Sequence, residues 1–218
     1  MKDPARKLTR TYIFALSLIA LLSFVGQIVV HYSLSEQDAD AMVINISGRQ
    51  RMLSQKIAKN ALLLQQAEGI IEFESIKSDF EMAYTLWDVS HQGLTLGDGR
   101  LAIPENYNSE TIQQLFKDIE IPYQKIKSSG QKILNVSPND SSTLKAAVKE
   151  ILEHEVIFLM VMNQITFQYE AESEAKIAYI RKVELGLFLA TLMVLLLEVL
   201  FVFRPAVQKV RQFFDLAR

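Results

Sequence analysis

The sequence predicts an all-α fold in which an antiparallel four-helix bundle is flanked by two transmembrane helices. Two long apolar runs lie near the ends of the chain. The apolar residues between these runs recur with helical spacing, and no alternating strand pattern persists. Half of the 218 residues are apolar, which is typical of a folded chain rather than a disordered one.

The first apolar run is predicted to cross a membrane. The segment Thr11–Ser35 contains no Asp, Glu, Lys or Arg, and its core, Ile13–Val30, is long enough to span a bilayer at about 1.5 Å per residue. A cleaved signal peptide is the alternative, but such peptides have shorter apolar cores. The one A-x-A-like cleavage site, Ala39–Ala41, also follows the acidic residues Glu36 and Asp38. We therefore interpret the run as a membrane anchor.

The second apolar run, Leu185–Phe203, is also predicted to span the membrane. It ends at Arg204 and Pro205, where a charge is followed by a residue without an amide hydrogen. It contains one acid, Glu198. An ionisable group within a membrane is by default a functional candidate. Because Glu198 lies near the end of the run, we interpret it as facing a partner helix or snorkelling to the interface.

Basic residues flank both runs on the side of the chain ends and predict that both termini are cytoplasmic. They are Lys2, Arg6, Lys7 and Arg10 before the first run, and Arg204, Lys209, Arg211 and Arg218 after the second. The region Ser33–Glu184 carries 15 basic and 22 acidic side chains, a balance of −7. This acidic balance agrees with an outer location for the region, but it is weaker evidence than the basic residues beside the two runs. Arg181 and Lys182, at the outer end of the second run, are mild exceptions to the rule that basic residues flank the cytoplasmic side.

Four helices are predicted between the membrane segments, and the first and last of them continue into the spans. Val156–Met162, apolar on every side, is predicted to lie at the centre of the bundle. Continuous helices could relay a small sliding or rotation across the membrane. The predicted helices cover Gln37–Ala67, Glu72–Gly93, Ser109–Leu134 with a bend near Pro122, and the segment from Ser141 onwards; the loops are Gly93–Asn108 and Asn135–Asp140.

A polar cluster on the first predicted helix is the main candidate for function. Ser47 and Gly48 lie four and three residues before Arg51, and Ser54 and Gln55 lie three and four after it. Residues at these spacings share one face of a helix. Arg51 would offer a fork of donors suited to a planar anion, and Gly48 would allow a ligand or a second backbone to approach closely.

The alternative interpretation is that the basic residues near this cluster have no ligand. In that case they would form a solvated face or pair with acids on neighbouring helices. The residues concerned are Arg49, Arg51, Lys56 and Lys59. Their spacing alone does not decide between the two interpretations.

The segment Ile46–Gln55, with the sequence ISGRQRMLSQ, resembles the signature of PilJ-type sensor domains, found at the N-terminus of pilus chemoreceptors. It is also similar to the P-box of NarX-type nitrate sensor kinases. The resemblance implies a periplasmic four-helix bundle of a bacterial inner-membrane receptor that dimerises and holds nitrate or nitrite between subunits. By position, Arg51 would bind the anion and Gly48 would permit close approach. The chain departs from the nitrate kinases at Arg49 and Gln50.

Other chemistries have little support in the sequence. The chain has no cysteine, which excludes disulfides and thiolate metal sites. His154 and Glu155 begin like a zinc-protease helix, but Phe158 stands where the second ligand would be. No phosphate-binding glycine loop, nucleophile elbow or kinase signature occurs. We predict no metal, no cofactor, no catalysis and no nucleic-acid partner, since the basic tails suit an anionic membrane. Trp87 is assigned to packing.

The divisions predicted from these patterns are 1–10 for a cytoplasmic N-terminus, 11–32 for the first transmembrane helix, 33–182 for the periplasmic bundle, 183–203 for the second transmembrane helix and 204–218 for a cytoplasmic juxtamembrane segment. The predicted function is a homodimeric signal receptor that binds a small anion through Arg51, Gly48, Ser47, Ser54 and Gln55. A cytoplasmic signalling module beyond residue 218, or in a partner, would receive the signal. The alternatives are a helical scaffold or accessory subunit without a small ligand, and an enzyme with an unrecognised site.

Overall fold

The computed structural model describes residues 4–216, without the side chains of residues 4–8, 209, 213, 214 and 216. The predicted cytoplasmic charges Lys2 and Arg218 therefore lie outside the described residues, as do the side chains of Arg6, Lys7 and Lys209. The described chain is helical almost throughout, which confirms the all-α prediction. Its elements are α1 (Pro4–Gln66), α2 (Ile70–Leu96), a 3₁₀ turn (Gly99–Leu101), α3 (Glu110–Asn135), α4 (Ser141–Glu198), a π-helical segment (Val199–Phe203) and α5 (Arg204–Leu216).

The helix boundaries follow the local chemistry. The Ser109 hydroxyl accepts a hydrogen bond from the Ile112 amide at 3.3 Å, so the predicted start of the third helix is a true N-cap. Pro122 lies inside α3 without ending it. The helix α2 runs to Leu96, three residues beyond the predicted end, because Gly97 with φ of 87° ends it.

The chain divides into two units. The segment Gln37–Ser173, called the bundle below, contains α2, α3 and parts of α1 and α4. The second unit comprises the chain up to Glu36 and from Glu174 onwards. Each unit includes part of α1 and part of α4, since these two helices run through both.

Side-chain contacts join the four helices of the bundle. Gln50 of α1 reaches α2, and Ser54 of α1 reaches Glu155 of α4. Helices α2 and α3 are antiparallel, since Tyr84 bonds to Lys127 and the later residue Asp88 bonds to the earlier Tyr123. The core is built from one apolar face of each helix, with these side chains fully buried: Ile57, Phe80, Trp87, Ile112, Ile119, Ile126, Ile133, Ile151, Phe158, Met162 and Ile165.

The prediction for Val156–Met162 is wrong in part. Phe158 and Met162 are fully buried, but Val156 and Met160 are 66% and 56% exposed. A helix at the outside of a bundle buries only one face. Its apolar outer face is therefore an exposed surface of α4.

Two helices are long and apolar enough to cross a membrane. They lie within Thr9–Gln66 and Ser141–Gln212, and their most apolar windows have mean hydropathies of 2.5 and 2.6. These windows are 0% and 11% buried in the structure, whereas the core helix of a soluble protein would be mostly buried. In the second helix Glu198 is 5% exposed, directly before the π-helical segment. Its interpretation as facing a partner helix or snorkelling to the interface stays a prediction.

Candidate ligand-binding groove

An open groove of about 560 Å³ lies between α1 and α4 within the bundle. Gly48 and Arg51, two of the predicted site residues, line it together with Asn45 and Met52 of the same helix. Thr166 and Glu170 of α4 form the opposite wall, which the sequence analysis did not single out. The structure therefore gathers the central part of the motif on an accessible surface.

The five predicted site residues do not all line this groove. Ser47 and Ser54 are buried: the Ser47 hydroxyl donates to the Ile44 carbonyl at 2.8 Å and the Ser54 hydroxyl to the Arg51 carbonyl at 3.0 Å. Gln55 is exposed, and it is not among the groove residues. At about 100° per residue, Ser47 and Ser54 lie to one side of Arg51, and Gly48 and Gln55 lie to the other. The side with Ser47 and Ser54 faces the core, and the side with Gly48 and Gln55 faces water.

Arg51 occupies the boundary between these two sides and is half-buried. The ion pairs formed by the described residues include none of the four basic side chains of this region, which are Arg49, Arg51, Lys56 and Lys59. Pairing with acids on neighbouring helices, one of the alternatives for this cluster, is therefore not observed. The charge of Arg51 is open to a ligand or to water.

Gln50 is a functional candidate that the sequence analysis did not select. Its side chain is fully buried, and its amide Nε2 donates to the Trp87 carbonyl at 2.8 Å. Its Oε1 has no partner among the described residues. The signal was present in the sequence, because Gln50 falls within the apolar series Ile46, Leu53 and Ile57. A polar residue on a core face calls for a partner.

A cluster of rings lies behind Gln50 in the core. The imidazole of His91 stacks on Tyr123 with centroids 3.8 Å apart, and Trp87 contacts Tyr123 and Phe158 at 5.0 and 5.2 Å. The predicted packing role of Trp87 is confirmed. Burial lowers the pKa of His91 to about 3, with Asp88 opposing and Lys127 adding to the shift. His91 is therefore neutral at physiological pH.

One ionic group contacts the edge of this cluster. Asp88 accepts hydrogen bonds from the Tyr123 hydroxyl at 2.5 Å and from the Lys127 ammonium at 2.9 Å. Burial would raise the pKa of Asp88, but donors from Tyr123, Lys127 and Gln92 outweigh it and hold that pKa below its usual value. This group joins α2 to α3 and has no access to the groove lined by Gly48 and Arg51.

The described residues offer one grouping with the ligand types of a metal site. Glu150, Glu153 and His154 on α4 present ligand atoms within 4.8 Å of one another. Lys125 already pairs with Glu150 at 2.9 Å. The prediction that the chain binds no metal remains a prediction.

Comparison with known proteins identifies the family. The family model described as "Type IV pili methyl-accepting chemotaxis transducer N-term", PilJ, matches residues 32–150. The match includes the Gly48–Arg51 segment, α2, α3 and the start of α4. A comparison with curated proteins gave no match. The matched segment is more than half of the chain and confirms the predicted resemblance to PilJ-type sensor domains. The chain belongs to the PilJ family, a sensor family of signal-transducing inner-membrane receptors.

Proposed function

We propose that this protein is a homodimeric receptor that binds a small anion, of the nitrate or nitrite class, at the groove lined by Gly48 and Arg51. The observation that carries the proposal is the state of Arg51, which is half-buried in an open groove and belongs to none of the ion pairs of the described residues. A planar anion matches the donor fork of a guanidinium group.

Two features favour a second copy of the chain as the other wall of the site. A Cβ added at Gly48 would meet nothing within 4 Å, so the helix surface is open there to another backbone. The exposed face of α4 carries Val156, Met160 and Phe167, which are 66%, 56% and 62% exposed. Burying such a face against an identical one removes apolar surface from water.

Electrostatics give the anion a reason to bind between two copies. In an isologous dimer built on this face, two Arg51 side chains approach each other, and an anion between them neutralises their repulsion. Glu170 lines the same groove and is exposed. It forms no ion pair with Arg51 among the described residues, so its carboxylate does not occupy the proposed anion position. Binding then changes how α1 and α4 pack.

The relay uses the continuity of these two helices. From Arg51, α1 runs without a break back to Pro4, and α4 runs from Ser141 to Glu198. We propose that 11–32 and 183–203 cross the membrane, with 33–182 periplasmic and 1–10 and 204–218 cytoplasmic. The basic residues beside both spans support this orientation. The signal would be received by a cytoplasmic signalling module or protein.

Calorimetric titration of the full chain in lipid nanodiscs with nitrate, nitrite and chloride tests the proposal. We expect nitrate or nitrite to bind, Arg51→Ala to abolish binding and Arg51→Lys to weaken it, because an ammonium lacks the planar fork. Lys56→Ala is the matched control, since Lys56 is exposed on the same helix. Anion binding that is equal in Arg51→Ala and wild type would overturn the assignment.

A scaffold that docks another protein is the second candidate function. Its support is an exposed apolar stripe on α2, where Met82, Leu86 and Val89 are 60%, 40% and 38% exposed at helical spacing. Such a stripe fits a partner helix. Under this function, Met82→Glu would abolish assembly with the partner, and Arg51→Ala would have no effect on signalling.

A further inference from the structure

A second cavity of about 520 Å³ lies at the end of the bundle where α2 is followed by the loop to α3. Its walls are the last turn of α2, part of the loop and the first turns of α3. It shares no residue with the Gly48–Arg51 groove. Its volume falls within the range of about 300 to 1,000 Å³ that is typical of small-molecule sites.

The loop that forms this cavity is held by specific bonds. The Asn108 amide donates to the Leu94 carbonyl at 2.8 Å, and its Oδ1 accepts from the Tyr169 hydroxyl at 2.5 Å. The Gln113 amide donates to the Asn108 carbonyl at 3.0 Å. At Gly97 a Cβ would lie 2.8 Å from the Cα of Glu105, so the loop crosses the helix end at close range. These bonds and this close packing hold the loop that forms the cavity in a defined position.

The cavity offers charges of both signs above an apolar floor. Leu94 and Phe116 are buried and form part of its lining. Lys117 and Glu120 also line it, three residues apart on α3, and side chains at that spacing share a helix face. Lys117 belongs to none of the ion pairs of the described residues. The ammonium of Lys117 is thus available to a carboxylate.

The opposite wall favours a cation. It is the C-terminal turn of α2, ending at Leu96, and the C-terminal end of a helix carries partial negative charge. On the α3 side, beside Lys117, the carboxylate of Glu120 adds a full negative charge, and Gln124 donates to it at 2.9 Å. A ligand with one carboxylate and one ammonium, separated by a short carbon chain, matches the charges of Lys117 and Glu120.

The lining is bonded to the helices that leave the bundle. Tyr107 donates to Asp40 of α1, and Asn108 accepts from Tyr169 of α4. A ligand that touches Tyr107 and Asn108 therefore contacts groups whose positions depend on α1 and α4. If it fits one arrangement of these helices better than another, it shifts their equilibrium.

We propose that the α2–α3 cavity binds a small zwitterion, a free α-amino acid or a close relative, and thereby biases the packing of α1 and α4. This is a second site, independent of the proposed anion site. Its ligand is held by Lys117 through the carboxylate and by Glu120 through the ammonium, which also lies near the negative C-terminal end of α2. Phe116 and Leu94 contact the apolar part.

Thermal-shift and calorimetric titration of the full chain in nanodiscs, with each of the twenty common amino acids, tests the proposal. We expect at least one to bind and to raise the unfolding temperature. Butylamine and butyrate, which each carry one of the two charges, should bind at least about tenfold more weakly, since each loses one charged hydrogen-bonding end. Failure of all twenty amino acids, or equal binding by either single-charge probe, would overturn the proposal.

Alanine variants test whether the amino acid binds in this cavity. Lys117→Ala and Glu120→Ala should each weaken amino-acid binding about tenfold, whereas Lys132→Ala and Glu110→Ala, exposed on the same helix outside the cavity, should not. Arg51→Ala should leave amino-acid binding unchanged, so failure of the anion proposal is distinguishable from failure of this one. Binding that is insensitive to both Lys117→Ala and Glu120→Ala would place the ligand elsewhere and overturn the assignment.

A distance measurement tests the coupling to α1 and α4. The chain has no cysteine, so spin labels at Ala41→Cys and Ala171→Cys, both exposed, report one defined distance when the labelled chain is diluted with unlabelled chain. The bound amino acid should change this distance in the wild-type background. In Tyr107→Phe, which lacks the hydroxyl bonded to Asp40, the change should be smaller while binding persists. An unchanged distance with bound ligand would overturn the coupling.

Discussion

Burial rather than charge decides what individual residues do in this bundle. His91 is 2% exposed and stacks on Tyr123, so it acts as a neutral aromatic ring. Arg51 carries its charge in a half-buried position beside open space at Gly48. We expect the first arrangement to make the bundle sensitive to acid, and the second is the basis of the proposed anion site.

The acid sensitivity can be measured. Burial lowers the pKa of His91 to about 3, whereas an unfolded histidine titrates near about 6.5. Between these values the unfolded chain binds the extra proton, so the free energy of unfolding should fall as the pH drops below about 6.5. The slope is up to about 1.4 kcal/mol per pH unit. Unfolding of the full chain in nanodiscs from pH 8 to pH 4 measures it.

Two variants control this prediction. His91→Phe keeps a ring in the stack and removes the titrating group, so most of the slope should disappear. His154→Phe alters a histidine outside the core and should retain it. The same slope in His91→Phe and wild type would show that another group causes the acid sensitivity.

Replacing Gln50 should also change the free energy of unfolding. Gln50→Leu loses the bond to the Trp87 carbonyl, which keeps its own helical partner, and also removes the Oε1 that lacks a partner. We expect a loss of about 1 kcal/mol or less in the free energy of unfolding. Gln50→Ala leaves a cavity as well and should cost about 2 kcal/mol or more. Denaturant unfolding compares them, and equal losses would contradict this account of the site.

Residue-level prediction from the sequence succeeded where helical spacing was sufficient. Spacing put Gly48 and Arg51 on one surface, and both line the groove. It did not separate Ser47 and Ser54 from them, because which edge of a helix faces the core depends on the neighbouring helices. The same dependence explains why Gln50, inside an apolar series, was not selected as a contact to α2.

At the scale of whole helices, glycine has opposite roles at two positions. At Gly130 of α3, a Cβ would lie 2.4 Å from the ring of Tyr84, so α2 and α3 meet there in direct contact. At Gly48 of α1 the same atom would meet nothing within 4 Å. The first glycine is required by the bundle itself, and the second leaves a surface open.

This difference predicts opposite effects of alanine. Gly130→Ala should lower the free energy of unfolding by about 1 to 3 kcal/mol because of the clash with Tyr84. Gly48→Ala should stabilise the helix by up to about 1 kcal/mol but weaken anion binding, because the added methyl group occupies the proposed interface. Chemical denaturation and calorimetry measure the two quantities. Destabilisation by Gly48→Ala without loss of anion binding would contradict the proposed role.

Helix existence was more predictable than helix surroundings. The start at Ser109 follows from capping chemistry that is local to the sequence, whereas α2 was predicted to end at Gly93 and ends at Leu96. The exposed Val156 and Met160 were expected to lie in the bundle centre. An apolar residue has the same sequence signal whether it is covered by its own chain or by a second one, so the pattern could not show what covers α4.

The whole molecule combines a bundle with two apolar helices of membrane-spanning length. Helices α1 and α4 run through both units, and this continuity is the basis of the proposed relay. Hydropathy was sufficient to predict the two long apolar helices, because a bilayer imposes length and composition on any helix that crosses it, whereas the orientation predicted from charge stays a prediction. The partner copy, which the proposed site requires, leaves no comparable signal in the sequence.

Cross-linking between copies through Met52→Cys tests the central claim most directly. Met52 is 56% exposed and lines the groove beside Arg51, and the chain has no other cysteine. If an anion binds between two copies, mild oxidation in nanodiscs should join the copies, and nitrate or nitrite should change the rate of joining. The change should vanish when Arg51→Ala is added. Absence of the cross-link, or an anion effect that persists in Arg51→Ala, would contradict the account.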